Sequence, residues 1–217
     1  MDECWGACTF AGLVAPFLAH PFYCAPAVEG GGPRAPAVAV CKARGTVLKD
    51  WVVTECQGMA LSGTGDVTMI DLVKTEVAGA KGPGAVVRSG ADLRATHCVI
   101  SDCQGGALVG EGLGTTIQVE GGRYSGNGAG VALRSQAYAQ VASSTFVGNA
   151  GPAVHARDRG TRADVDGVRL VRSPTSLWDE NLVILAEGHA VVQVGRRTDI
   201  VGRCRGRRGG RVVLPFR

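Results

Sequence analysis

The sequence predicts an all-β chain wound into a repetitive solenoid, and three observations carry that prediction. Glycine makes up 33 of 217 residues while aromatic residues are only 5%, so the core must be narrow. Six segments join a small turn to a short apolar strand at nearly constant spacing. No helical periodicity survives in that register. Hydrophobic residues at 45% against 19% charged are enough to bury a core, which excludes a disordered tract. The glycines follow no G-x-y period, which excludes collagen, and no apolar run is long enough to predict a spanning helix.

Residues 1–35 read as an N-terminal cap. The apolar run at 10–19 (F-A-G-L-V-A-P-F-L-A) follows Asp2 and Glu3 without Lys or Arg, unlike the positive start of a secretory leader. Eight cysteines at irregular spacing are expected to be mostly free thiols in a reducing, intracellular setting, cytoplasmic or nuclear, with secretion as the alternative. Cys4, Cys8, Cys24 and Cys41 with His20 make a poor zinc signature, and no metal or cofactor is expected.

The body, residues 36–195, carries the repeat: G-P-R-A-P-A-V-A-V (32–40), C-Q-G-M-A-L-S (56–62), K-G-P-G-A-V-V-R (81–88), C-Q-G-G-A-L-V (103–109), N-G-A-G-V-A-L-R (127–134) and N-A-G-P-A-V-H (149–155). Anchoring on Ala37, Ala60, Ala85, Ala107, Val131 and Ala153 gives spacings of 23, 25, 22, 24 and 22, with a weaker seventh anchor at Leu177. A turn position precedes each anchor: Pro33, Cys56, Lys81, Cys103, Asn127, Asn149 and Ser173. Two apolar rows precede the turns: Val53, Ala78, Ile100, Tyr124, Phe146, Leu170, and Leu48, Val73, Ala95, Val119, Val141, Val165. Three short strands per unit of this length fit a parallel β-helix of about six coils, in which Tyr124 and Phe146 stack inside. Leu182 to Val194 then forms a final irregular coil or an end cap. Residues 196–217 read as a basic tail, with eight arginines against the single acid Asp199.

The turn-and-strand units at 124–134 (Y-S-G-N-G-A-G-V-A-L-R) and 146–155 (F-V-G-N-A-G-P-A-V-H) are the best kept. On these units the chain resembles the right-handed parallel β-helix repeat family over about residues 36–180. That family includes the coils of pectate-lyase-like enzymes, carbohydrate-binding and sugar-hydrolase repeat domains, and the non-enzymatic β-helix regions of some F-box proteins. Only two turn positions hold Asn, so no continuous asparagine ladder is expected. The resemblance speaks to fold, and activity must be argued from a site.

Inward anchors also place Ala39, Ser62, Val87, Val109, Leu133 and His155 inward, because the opposite phase would bury Arg88 and Arg134. The outward row is then Val38, Leu61, Val86, Leu108, Ala132 and Val154, an apolar stripe covered by the chain's own ends or by a partner. The partner-binding candidates are Leu61, Val86, Leu108 and Val154, flanked by Arg88, Arg134 and Arg157. The acids are scattered, apart from the outward pair Asp164 and Asp166, about 7 Å apart on one strand. That separation suits an inverting glycosidase or half of a calcium site. No nucleophile elbow or phosphate loop is present. The expected function is a non-catalytic binding or scaffold module recognising a protein or extended polymer, including polysaccharide, on a sheet face. The alternative is a small carbohydrate-active enzyme, a pectate-lyase-like lyase or a glycoside hydrolase using Asp164 and Asp166. Nucleic acid is a further possible partner for the basic tail, and no membrane association is expected.

Overall fold

Each unit of about 23 residues supplies three short strands that pair in register with those of the units before and after. The computed structural model describes residues 7–10, 13–16, 27–29, 38–41, 44–172 and 182–215. They form a parallel β-helix of about seven turns, without a helix among the described residues. Three sheets line it: sheet A with ten strands, and sheets B and C with eight each. All pairings are parallel except those of the hairpin Ala7–Phe10 and Leu13–Pro16, which extends sheet A beyond Val38–Cys41. No helix of the described residues is long and apolar enough to cross a membrane.

The interior is built from rows of like side chains. In sheet B, Val53, Val77, Ile100, Tyr124, Phe146 and Leu170 are Cα partners in succession. In sheet C the corresponding row is Leu48, Leu72, Ala95, Val119, Val141 and Val165. The Tyr124 and Phe146 rings stack as expected, with centroids 4.8 Å apart and planes 16° apart. Gly130 admits the Phe146 ring: a Cβ there would lie 2.5 Å from a ring carbon and would clash with the Ala153 carbonyl oxygen.

The turn row is a short polar ladder. Asn149 Oδ1 accepts from the Asn127 backbone N–H (3.0 Å) and from Asn127 Nδ2 (3.3 Å), and Asn127 Oδ1 accepts from the Cys103 N–H (3.0 Å). Asn149 Nδ2 and Asn127 Nδ2 donate to the carbonyls of Tyr124 and Ile100. The ladder then passes to buried Cys103, Ala80 and Cys56, so among the described residues it covers two coils. The thiols of Cys56, Cys98 and Cys103 are free and buried. Corners between sheets C and B use one left-handed residue per coil: Asp50, Lys74, His97, Gly121, Ser143 and Gly167, with φ of 48–66°.

The repeat register needs correction in five of its six units, at the anchor in four of them and before the anchor in the unit of Ala85. The first inward row of sheet A is Val38, Leu61, Ala85, Leu108, Val131 and Val154, not the chosen anchors. Ala60, Ala107 and Ala153 sit one residue earlier, in a corner row with Gly84 and Gly130, where every member is buried. Two successive residues are buried at that corner, and the first of them is Ala or Gly in every described coil from Ala60 to Ala153. Taking alanine as the marker therefore mixed two rows. In the unit of Ala85, whose anchor is correct, the positions counted back from it fall one residue late, and Leu72, Val77 and Ala80 are the row members in place of Val73, Ala78 and Lys81. Ala37, Pro33, Ser173 and Leu177 lie outside the described residues.

Residues 196–215 are a further coil and not a tail. The strands Asp199–Val201, Arg203–Arg207 and Arg211–Val213 extend sheets B, A and C. The segment from Leu182 to Val194 is a coil of the solenoid, as one of the two expectations had it, with the strands Leu182–Glu187 and Val191–Val194 and a register shift between Leu182 and Ile184. Within the expected cap, Ala27–Glu29 already pairs with Val52–Thr54 as a sheet B strand.

Candidate functional site

Because side chains alternate along a strand, the corrected register also decides which residues reach the outer faces. Leu61, Leu108 and Val154 point into the core, with 3%, 0% and 0% exposure, and cannot form a partner-binding stripe. The outer row of sheet A is instead Ala39, Ser62, Val86, Val109, Ala132, His155 and Leu185. Val87 and Leu133 face inward as expected, whereas Ala39, Ser62, Val109 and His155 face outward. His155 Nε2 lies 3.1 Å from Glu187 Oε2. Val86 is outward by register, but only 1% of it is exposed, so other atoms already cover it.

Arg88, Arg134 and Arg157 do lie on the outer face, as the cost of burying guanidinium groups requires. Glu111 sits between the first two, 3.2 Å from Arg88 Nε and 2.8 Å from Arg134 Nη2. These arginines are thus joined to a neighbouring coil's carboxylate, while Arg157 approaches Asp158 at 3.6 Å.

The outer face of sheet C is different in kind. Its central row runs Asp71, Arg94, Gln118, Gln140, Asp164 and Gln193, one side chain per coil at about 4.8 Å. Alternation with buried Leu72, Ala95, Val119, Val141 and Val165 makes these polar side chains project outward. Arg94 Nε donates to Gln118 Oε1 at 3.2 Å. Over the later coils the face forms a shallow groove of about 290 Å³, whose lining includes Gln140, Arg162, Asp164, Asp166, Gln193 and Arg197.

The two carboxylates predicted as a catalytic fallback lie in this groove, each held by an arginine. Arg162 makes a two-pronged contact with Asp164, Nε to Oδ1 at 3.0 Å and Nη2 to Oδ2 at 3.1 Å. Tyr138 donates its hydroxyl to Asp164 Oδ2 at 2.9 Å, and Arg162 Nη2 also reaches Gln193 Oε1 at 3.1 Å. Burial first, then the bond to Asp164, pushes the Tyr138 hydroxyl above the usual phenol range and keeps it a donor. Asp166 accepts from Arg197 Nε at 3.1 Å, from Arg197 Nη2 and from the Arg197 backbone N–H. That contact with the Arg197 side chain lowers the Asp166 carboxyl below its ordinary value. Among the described residues no three His, Cys, Asp or Glu side chains converge as a metal would need.

Such a site offers hydrogen-bond donors and acceptors in a row, an aromatic edge at Tyr138 and balanced charge. A general acid needs a proton aimed at the substrate, and here the carboxylate oxygens already accept bonds from arginine and tyrosine. Asp164 and Asp166 were legible as a local pair with Gln140 and Ala142 as their neighbours in the preceding coil, whereas the part played by Gln118, Gln193, Tyr138 and Arg162 was not. Their signal was present: polar residues two apart, flanking the inward sheet C row. Comparison with protein-family models, with curated proteins and with solved structures returned no match.

Proposed function

We propose that the chain is a non-catalytic β-helix module that binds an extended, uncharged polymer of repeating polar units, such as a neutral polysaccharide, along the outer face of sheet C. The observation that carries this reading is the row Gln118, Gln140, Asp164 and Gln193, which presents polar groups once per coil beside Tyr138. A ladder of period about 4.8 Å suits a ligand that is itself periodic and extended. The groove pairs each carboxylate with a guanidinium, which favours a ligand without net charge. Half-buried Tyr138, bonded to Asp164, adds an aromatic ring beside those polar groups, and aromatic and polar groups together suit sugar recognition.

Affinity electrophoresis in gels containing xylan, mixed-linkage glucan or galactomannan tests the reading. One of these polymers should retard the wild-type chain, and Gln140→Ala and Tyr138→Ala should each weaken the retardation at least tenfold without altering the melting temperature. No new reducing ends should form on prolonged incubation. A second reading, hydrolysis by Asp164 and Asp166, draws on their joint presence in the groove. Release of reducing ends by the wild type, lost in the Asp164→Asn, Asp166→Asn double variant, would replace the first reading with the second.

A further inference from the structure

The outer face of sheet B holds two opposite charges that stand apart from each other. Each of its central strands has three residues with the middle one buried, so the first and third project outward. Over five successive coils the first positions run Val52, Glu76, Val99, Arg123 and Thr145. Val52 and Val99 are each 39% exposed, and Glu76 and Arg123 are exposed beside them. The third positions Ala78, Ser101 and Ser125 are short, which leaves the middle of the face open to close approach. Glu76 and Arg123 lie one coil to either side of Val99, about 4.8 Å from it in each direction. Among the described residues neither forms an ion pair, whereas Glu111 on sheet A and Asp164 on sheet C each meet an arginine.

We propose that this face docks the same face of a second copy of the chain, with the coil axes antiparallel and a two-fold axis passing at Val99. In such an isologous contact each coil on one side of the axis meets the coil equally far on the other side. Val99 meets the second copy's Val99, Glu76 meets its Arg123, Arg123 meets its Glu76, and Val52 meets its Thr145. An apolar centre is thus flanked by two ion pairs, and the short side chains of Ala78, Ser101 and Ser125 face one another beside it. Charge selects this register over its neighbours. Moving the axis one coil either way sets Glu76 or Arg123 against its own copy, which is repulsive. With the coil axes parallel, first positions would meet third positions, Glu76 opposite Ala78 and Arg123 opposite Ser125, and neither charge would be answered. Five coils at about 4.8 Å and three residues at about 3.3 Å make a contact about 24 Å by 10 Å, small for a protein interface, so the dimer is weak and reversible. The contact leaves the outer face of sheet C free.

Sedimentation equilibrium of the full chain over a rising series of concentrations tests this. The wild type should pass from monomer to dimer, and its association should weaken as salt rises. Glu76→Arg and Arg123→Glu change exposed side chains, and each should weaken association at least tenfold at an unaltered melting temperature. An equimolar mixture of these two variants should associate at least as tightly as the wild type, because one then carries two arginines where the other carries two glutamates. Val99→Arg, which sets two guanidinium groups at the axis, should also weaken association at least tenfold, and it decides the matter if a charge variant does not fold. Gln140→Ala on sheet C should leave association unchanged. A chain that stays monomeric throughout overturns the proposal, as does association that the three sheet B variants retain, that their charge-reversed mixture fails to restore, or that Gln140→Ala abolishes.

Discussion

Replacing Phe146 with alanine probes the interior where the structure is most constrained. The ring is fully buried and stacked 4.8 Å from Tyr124, with Leu170 as the row partner on the other side. Phe→Ala in a core costs about 3–5 kcal/mol, the larger values belonging to sites that cannot collapse around the cavity. Three hydrogen-bonded sheets fix the spacing of the walls here, and the stacking itself contributes about 0.5–1.5 kcal/mol beyond area burial. The expected loss is therefore about 4 kcal/mol. Urea unfolding followed by far-UV circular dichroism reads it: with a slope of about 2 kcal/mol per molar, the midpoint should fall by about 2 M. Phe146→Leu, which refills most of the volume, should lose about 1.5 kcal/mol or less. A loss below 1 kcal/mol for alanine at unchanged slope would refute the placement of this ring inside the coils.

Tyr124→Phe should raise stability by about 1 kcal/mol in the same assay, because the Tyr124 hydroxyl is fully buried and finds no hydrogen-bond partner; a loss instead would mean that the hydroxyl is satisfied. Asn149→Ala removes a buried side chain that accepts two hydrogen bonds and donates a third, and should cost about 3 kcal/mol; unchanged stability would place the turn in solvent. Burial pushes the Cys103 thiol up to about 11, so folding favours its protonated form. The stability is then fully present below the unfolded value near 9 and lost as pH rises from about 9 to 11, by about 2–3 kcal/mol in all. Comparing the alkaline slope of wild type with that of Cys103→Ala checks this, and identical slopes would contradict it.

The architecture was legible because each coil repeats the same solution. Turn residues such as Asn127 and Asn149 and inward rows ending in Tyr124, Phe146 and Leu170 mark the period without reference to any contact. The phase of sheet A was not legible from alanine alone. Ala60 and Leu61 are both buried, as are Ala107 with Leu108 and Ala153 with Val154, since the chain enters the strand through an inward corner. An alternation rule applied across that corner exchanges the two faces. The charged residues were the better guide: Arg88 and Arg134 gave the correct phase in their own coils, and Glu111 and Arg157, at the ends of the strands Gly106–Glu111 and Val154–Arg157, mark the correct phase in theirs. The eight arginines near the end suggested a solvated tail because charge density masked the alternation of Arg203, Arg205 and Arg207 with Cys204 and Gly206. On sheet C, Asp164 and Asp166 stood out as titratable groups, while the glutamines on either side of Asp164, Gln140 and Gln193, carry no charge to mark a polar row.

The binding account rests on which face meets the ligand, and hydrogen–deuterium exchange with and without the retarding polysaccharide reads that directly. Slower exchange is predicted in the sheet C strands Thr116–Glu120, Tyr138–Ala142, Arg162–Asp166 and Val191–Val194. Protection confined to the sheet A strands Ala85–Arg88, Gly106–Glu111 and Ala129–Arg134 would contradict it.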